Sequence, residues 1–238
     1  MLSLKPWRAE AVIQFIAGVF VCLGLGVVTV MGLRQAGVAA FQSPDSFACV
    51  LAATLSFQGA TWILIFLFLK FHDVDWRDAF GLRDAHLSRS LALAVGVVAV
   101  MLPVVLGLQW ASVQVLGKLG WQPEEQRAVD LLVNAGSGWL RVYLAFFAVV
   151  LAPVAEEFIF RGMLFPFVKQ LGFPKLAWIG VSLLFAFIHL NAPTFVPLFV
   201  LALALTWLYE KTNCLLASIT VHSLFNATNL IILFLQTR

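Results

Sequence analysis

Charge is scarce in this chain. Only 11% of its 238 residues are Asp, Glu, Lys or Arg, against about 25% in a soluble domain. Residues 11–33, 47–69 and 90–117 contain none of the four, and each stretch exceeds the ~20 apolar residues that cross a bilayer. A water-facing surface cannot be built from such a composition, so soluble-globular, disordered and collagen-like classes are excluded. The net charge of +3 is loop bias, not a nucleic-acid-binding surface. Cysteine is scarce as well. Cys22, Cys49 and Cys214 are odd in number and form no CxxC, which excludes a disulfide framework and reads as small buried hydrophobes. No GxSxG and no HExxH occurs, so neither a serine elbow nor the common zinc-protease helix is present. Internal repeats and low-complexity stretches are absent too.

What is present is hydrophobicity, at 62% of residues. Hydropathy divides the chain into seven spans, roughly 11–33, 47–70, 90–117, 142–168, 174–191, 194–210 and 213–236. Lipid leaves no water to satisfy exposed backbone groups, and the alternation of a barrel strand is missing, so all seven are predicted to be helices. The expected fold is all-α, a polytopic integral membrane protein with about seven transmembrane helices, within a range of six to eight. We treat residues 1–238 as a single membrane domain, with three N-terminal spans and their loops in 1–141 and a motif-bearing core in 142–236. The apolar run from Ala11 to Leu33 is longer than the ~7–15 residues of a signal-peptide core, so it is read as a retained first span.

Basic residues set the expected orientation. Lys5 and Arg8, then Lys70, Arg77, Arg83 and Arg89, then Lys169 and Lys175 fall on one set of ends, and fewer fall on the other. The positive-inside rule places the N-terminus in the cytosol, and seven spans would put the C-terminus outside. Residues 72–88 mix both charge signs and read as a solvated connector. Residues 121–137 read as a short interfacial helix, with Pro123 in its first turn, Gly136 at its end, and Ala128, Leu131, Leu132 and Ala135 on one face.

Function is to be sought in the polar residues of the later spans. Glu156, Glu157 and Arg161 occur within six residues of the fourth span, where each charge costs about 2.5–3.5 kcal/mol on insertion scales and normally faces an interior site. Glu157 and Arg161 stand i,i+4 with the acid first, an orientation that favours an intrahelical pair. Glu156 points about 100° away and has no local cation, so it needs a partner from another helix. His189 in the fifth span, and His222 with Asn226 one turn later in the seventh, are the candidates. His72 and His86 read as packing residues. Asn213 and Asn229 read as cap and packing residues, and Asn191 as turn chemistry with Pro193. Glu, His, His and Asn suit hydrolysis: a carboxylate beside an imidazole takes a proton from water, and imidazole and amide hydrogens stabilise an oxyanion. The same Glu156, His189 and His222 have the donor types of a three-ligand zinc site. Metal-free chemistry is favoured, because Asn226 would have no ligand task and Glu157 is taken up by Arg161, leaving no acid to orient the imidazoles.

Pro153-Val-Ala-Glu156-Glu157-Phe-Ile-Phe-Arg161-Gly162 resembles the EExxxR motif of the type II CAAX prenyl endopeptidases and their bacterial relatives, which include bacteriocin-processing and immunity-associated membrane proteins. Phe185-Ala-Phe-Ile-His189 is similar to the family's FxxxH, and His222-Ser-Leu-Phe-Asn226 to its HxxxN. The three motifs occur in order on successive apolar segments, within about residues 142–230. The resemblance implies intramembrane proteolysis in which Glu156 and His189 activate water. It also implies that His222 and Asn226 form the oxyanion site and that Glu157 and Arg161 hold the motif helix. It implies a membrane-associated protein or peptide substrate, prenylated or not, no nucleic-acid partner, and residence in a bacterial cytoplasmic membrane. An eighth helix found in some members is not expected after Asn226. A non-catalytic binding or immunity protein is the first rival, and a transporter, for which no internal symmetry is visible, the second.

Overall fold

The computed structural model describes residues 2–5, 7–82, 87–121 and 127–236, without the side chains of Arg127 and Ala128. Among them there is no strand, and seven apolar helices dominate. We number them α1 Ala9–Gln35, α2 Phe47–Phe71, α3 Leu87–Lys118, α4 Gly138–Gln170, α5 Pro174–Phe187, α6 Ala192–Thr212 and α7 Leu215–Gln236. Six of them are long and apolar enough to cross a membrane. The all-helical polytopic fold expected from hydropathy is therefore the fold observed.

Helix ends follow local chemistry. Ser46 Oγ accepts the Cys49 N–H at 3.2 Å to cap α2, and Ser137 Oγ accepts that of Leu140 at 3.1 Å to cap α4. Asn191 caps α6 by accepting the Thr194 N–H at 3.2 Å, satisfying a donor that has no partner inside the helix. At the other end of α6, Asn213 takes the left-handed conformation with φ 51°, where a short amide side chain is tolerated.

α5 is shorter than the fifth span read from hydropathy. Its 14 residues rise roughly 21 Å, less than the ~30 Å hydrocarbon core. The chain then turns through Leu190 at φ 49°, so His189 lies just beyond the helix. Periodicity could not show this, because the apolar run continues past the turn.

One loop reading is corrected. Within 72–88, the four-residue helix Trp76–Ala79 carries Phe80 into the core, where it is fully buried and packs edge-on against Phe158 at 4.6 Å between ring centroids. The Leu215 N–H donates to the Phe80 carbonyl at 2.9 Å. Gly81, at φ 69°, abuts the Asn213 backbone so closely that an added Cβ would overlap its carbonyl oxygen. Apolar residues 76, 79 and 80 share one face of this turn, a signal that the charged residues between them hid. The helix within 121–137 spans Arg127–Val133, and its apolar side is covered by protein. Leu132 and Ala135 cluster with Leu140 and Leu144 of α4, against Leu230, Leu233 and Phe234 of α7. Arg83, His86 and Pro123 lie outside the described residues.

Core and lipid faces divide by helix. α1 and α3 expose apolar side chains such as Phe20, Leu25, Val95 and Val100, whereas Leu201, Ala202, Leu205 and Leu208 of α6 have no exposure. α3, α5 and α7 pack against α6, and α4 packs against α5 and α7, with the polar residues of the motifs facing inward among these helices.

Candidate functional site

α4 is a continuous 33-residue helix interrupted by two π-helical stretches, Phe147–Leu151 and Phe158–Leu164. Both glutamates belong to the α-helical turn between them, Ala152–Glu157. A proline follows each π stretch, Pro153 after the first and Pro166 after the second. Proline lacks an N–H and its ring crowds the carbonyl one turn back. A π turn inserts a residue and moves that carbonyl aside, a common form of helix distortion at functional sites.

Glu157 and Arg161 have no solvent exposure. Arg161 Nη1 donates to Glu157 Oε1 at 2.8 Å, so the i,i+4 pair forms as the spacing predicts. Its Nη2 donates to the Ala202 carbonyl at 3.1 Å and its Nε to Thr206 Oγ1 at 3.4 Å. The guanidinium also lies 4.6 Å from the Phe185 ring centroid, a cation–π contact in a dry setting. The charge is thus held by α4, α5 and α6 together.

Glu157 does more than neutralise Arg161. His222 Nδ1 lies 2.9 Å from the same Oε1. A carboxylate accepts, so Nδ1 is the donor, and in the neutral ring the other nitrogen, Nε2, keeps its lone pair. That Nε2 faces Glu156 Oε2 at 3.8 Å. The sequence reading in which Glu157 is taken up wholly by Arg161 is therefore corrected: Glu157 also orients an imidazole. Helical spacing carries no signal for this contact, because it depends on how α7 packs against α4.

Glu156 keeps 15% side-chain exposure while its neighbour has none. Among the described residues the imidazole of His222 faces it, with Nε2 3.8 Å from Oε2. His189 stands apart from that pair. Its Nδ1 hydrogen-bonds the Phe185 carbonyl at 2.7 Å, and its ring rests on Phe185 at 4.9 Å. Phe185 is fully buried and meets His222 edge-on at 5.6 Å and Phe160 at 5.2 Å. One ring thus forms a floor shared by Arg161, His189 and His222, a task that the spacing of its motif does not reveal. Asn226 Nδ2 donates to the Ala148 carbonyl at 2.8 Å, inside the first π stretch. The structure therefore brings Glu156, Glu157, Arg161 and His222 into one connected group, with His189 across the Phe185 ring and Asn226 tied to the backbone of α4.

A three-ligand zinc site would need Glu156, His189 and His222 to converge. Among the described residues no three His, Cys, Asp or Glu side chains are grouped to hold a metal ion. As placed, these residues do not fit that site.

Residues 138–228 match the model of the type II CAAX prenyl endopeptidase Rce1-like family. Over that segment the chain is similar to that family. The match contains all three motifs, and the resemblance drawn from them holds. Relatives include the UPF0177 protein YxdF of Lactococcus lactis subsp. lactis (strain IL1403), 32% identical over 78 residues that cover 32% of this chain and 42% of that protein. The UPF0177 protein YaiH of the same strain is 38% identical over 90 residues, 37% of each chain. The chain thus spans less than half the length of either relative. No solved structure matches it. The Rce1-like family is generally a family of membrane proteases, and the long apolar helices make this chain an integral membrane protein.

Proposed function

We propose that this protein is an intramembrane endopeptidase that hydrolyses a peptide bond in a membrane-associated protein or peptide. The observation that carries the reading is the buried junction of Glu156, His222, Glu157 and Arg161. Water held about 2.8 Å from both Glu156 Oε2 and His222 Nε2 fits across their 3.8 Å separation. It would give one hydrogen bond to each, since both atoms are acceptors. Glu156 takes the proton as the water oxygen attacks the carbonyl carbon, and the same proton goes to the departing amine when the C–N bond breaks. Glu157 fixes the His222 tautomer and ring orientation, as the acid of a catalytic triad does. His189, with Nδ1 anchored on Phe185, is the group that in its protonated form donates through Nε2 to the oxyanion.

The substrate class follows from the site's setting: a segment that can enter among the helices, such as a lipid-modified chain end or an amphipathic peptide. The experiment uses the purified chain in lipid vesicles and matched peptides ending in Cys-aliphatic-aliphatic-X, with and without a farnesyl group. Wild-type protein should cleave at least one of the pair. Glu156→Gln keeps the shape and removes the proton acceptor, so turnover should fall about 10²–10⁴-fold with unchanged yield and helicity. Activity should survive chelation of divalent metals. Equal turnover by wild type and Glu156→Gln would move this chain to the non-catalytic binding or immunity class.

A further inference from the structure

Pro153 of α4 leaves a backbone carbonyl without its donor, and a side chain from α7 supplies one. In the first π stretch the Ala152 N–H reaches the Phe147 carbonyl, an i→i+5 bond. The next donor in that register would be residue 153, which is proline. The carbonyl left over is that of Ala148, and Asn226 Nδ2 donates to it at 2.8 Å. In the second stretch the Phe165 N–H reaches Phe160, and the indole N–H of Trp7 donates to the Gly162 carbonyl at 3.2 Å. A carbonyl left unpaired in the apolar part of a membrane protein costs free energy that no water offsets, so the Asn226 contact completes the helix at Pro153.

We propose that Asn226 is a positioning residue that stands in for the N–H missing at Pro153 and so fixes the π turn that aims Glu156 at His222. Asn226 and His222 lie one turn apart on α7, and they contact α4 at Ala148 and at Glu157. Glu156 lies between those two attachment points along α4. Releasing the lower one lets the first π stretch relax toward α geometry, which turns Glu156 by a large part of the 100° per residue of a helix. This gives the amide of the HxxxN motif a backbone partner, apart from any contact with the reacting carbonyl. The proposal rests on the proteolytic reading only for its consequence, since the hydrogen bond and the geometry stand without it.

The test is a cycle of Asn226→Ala, Pro153→Ala and the double variant, purified in detergent, with two readouts that need no substrate. The first is thermal unfolding. Asn226→Ala should lower Tm by roughly 2–4 °C, and adding Pro153→Ala, which restores a backbone donor to Ala148, should recover most of the loss. The second is the frequency of the infrared carboxyl band that Glu156→Gln removes, which reports the surroundings of that side chain. The band should move in Asn226→Ala and return in the double variant, which a merely structural contact far from Glu156 would not bring about. If Asn226→Ala fails to fold, folding of the double variant is the supporting result. The proposal is overturned if the two substitutions add without coupling, if the Glu156 band does not return, or if the double variant also fails to fold. Inactive wild-type protein in the peptide assay would end the proteolytic reading and leave this cycle intact.

Discussion

Arg161 and Glu156 carry opposite charge five positions apart on one helix, yet their surroundings differ. Arg161 is sealed, with Glu157, the Ala202 carbonyl, Thr206 and Phe185 around it. Glu156 is partly open and 3.8 Å from the His222 imidazole. Removing the guanidinium strands Glu157 as a buried charge, and breaking such a pair costs about 3–5 kcal/mol. Arg161→Ala should therefore lower Tm by several times the shift of any surface change. Glu156→Gln, which removes a charge that no tight pair holds, should leave Tm within about a degree or two. Thermal unfolding of both variants in one detergent checks this; equal losses would place Glu156 in the structural group. At this scale the sequence was legible where chemistry is local. The i,i+4 pair and the isolation of Glu156 follow from helix geometry alone. The Glu157–His222 contact and the Phe185 floor were not legible, because they join residues from different helices and no spacing encodes how those helices meet.

Among the elements, the segment before α1 does unexpected work. Lys5 is almost fully buried, with Nζ donating to the Ala79 carbonyl at 2.8 Å and to Asn213 Oδ1 at 3.2 Å. Its backbone N–H and carbonyl pair with the Gln170 side chain, both at 2.9 Å. In the sequence Lys5 reads only as a topology signal, since a basic residue before a span normally faces water. Here the segment is a strap across the ends of α4 and α6. The π turns were equally invisible, although Pro153 and Pro166 mark where the helix must depart from regularity. Burial lowers the Lys5 ammonium to about 8 from 10.5. The unfolded chain thus keeps a proton between those two values that the folded chain has released, so stability rises with pH through that window. Below about 8 both states are protonated and the cost of the buried charge is constant. The Tyr209 ring, 5.8 Å from Nζ, and Glu210, which accepts from the Leu2 N–H, are the nearby ionisable groups. Wild-type Tm should climb relative to Lys5→Met from pH 8 toward 10.5. A constant difference across that range would show that Lys5 keeps its ordinary protonation.

Considered as a whole molecule, the helices sort into two ends, and contacts that hydropathy could not supply define them. At one end the strap meets Ala79, Gln170 and Asn213, while Leu215 bonds Phe80. The start of α1, the α2–α3 connection, the end of α4 and the α6–α7 turn therefore share a side. At the other end Val50 near the start of α2, Leu140 and Leu144 at the start of α4, and Leu233 and Phe234 at the end of α7 pack together. This parity is what seven segments alternating across a bilayer require, with α5 and the turn at Leu190 serving as a short one. Charge gives the orientation expected for the two ends. Lys5, Arg8, Lys70, Arg77, Lys169, Lys175 and Lys211 all lie at the strap end, and positive loops stay on the cytosolic side. We therefore expect single cysteines at Arg77 and Lys211, in a background lacking Cys22, Cys49 and Cys214, to be shielded from an impermeant thiol reagent in intact cells. A cysteine at Thr194, in the first turn of α6, should be labelled, as should one at Ser43 in the α1–α2 connection. Because Arg77 and Lys211 share an end, they must respond alike whatever the orientation. Reversal of all four would invert the molecule while keeping its fold, whereas disagreement between Arg77 and Lys211 would contradict the packing of the strap end itself.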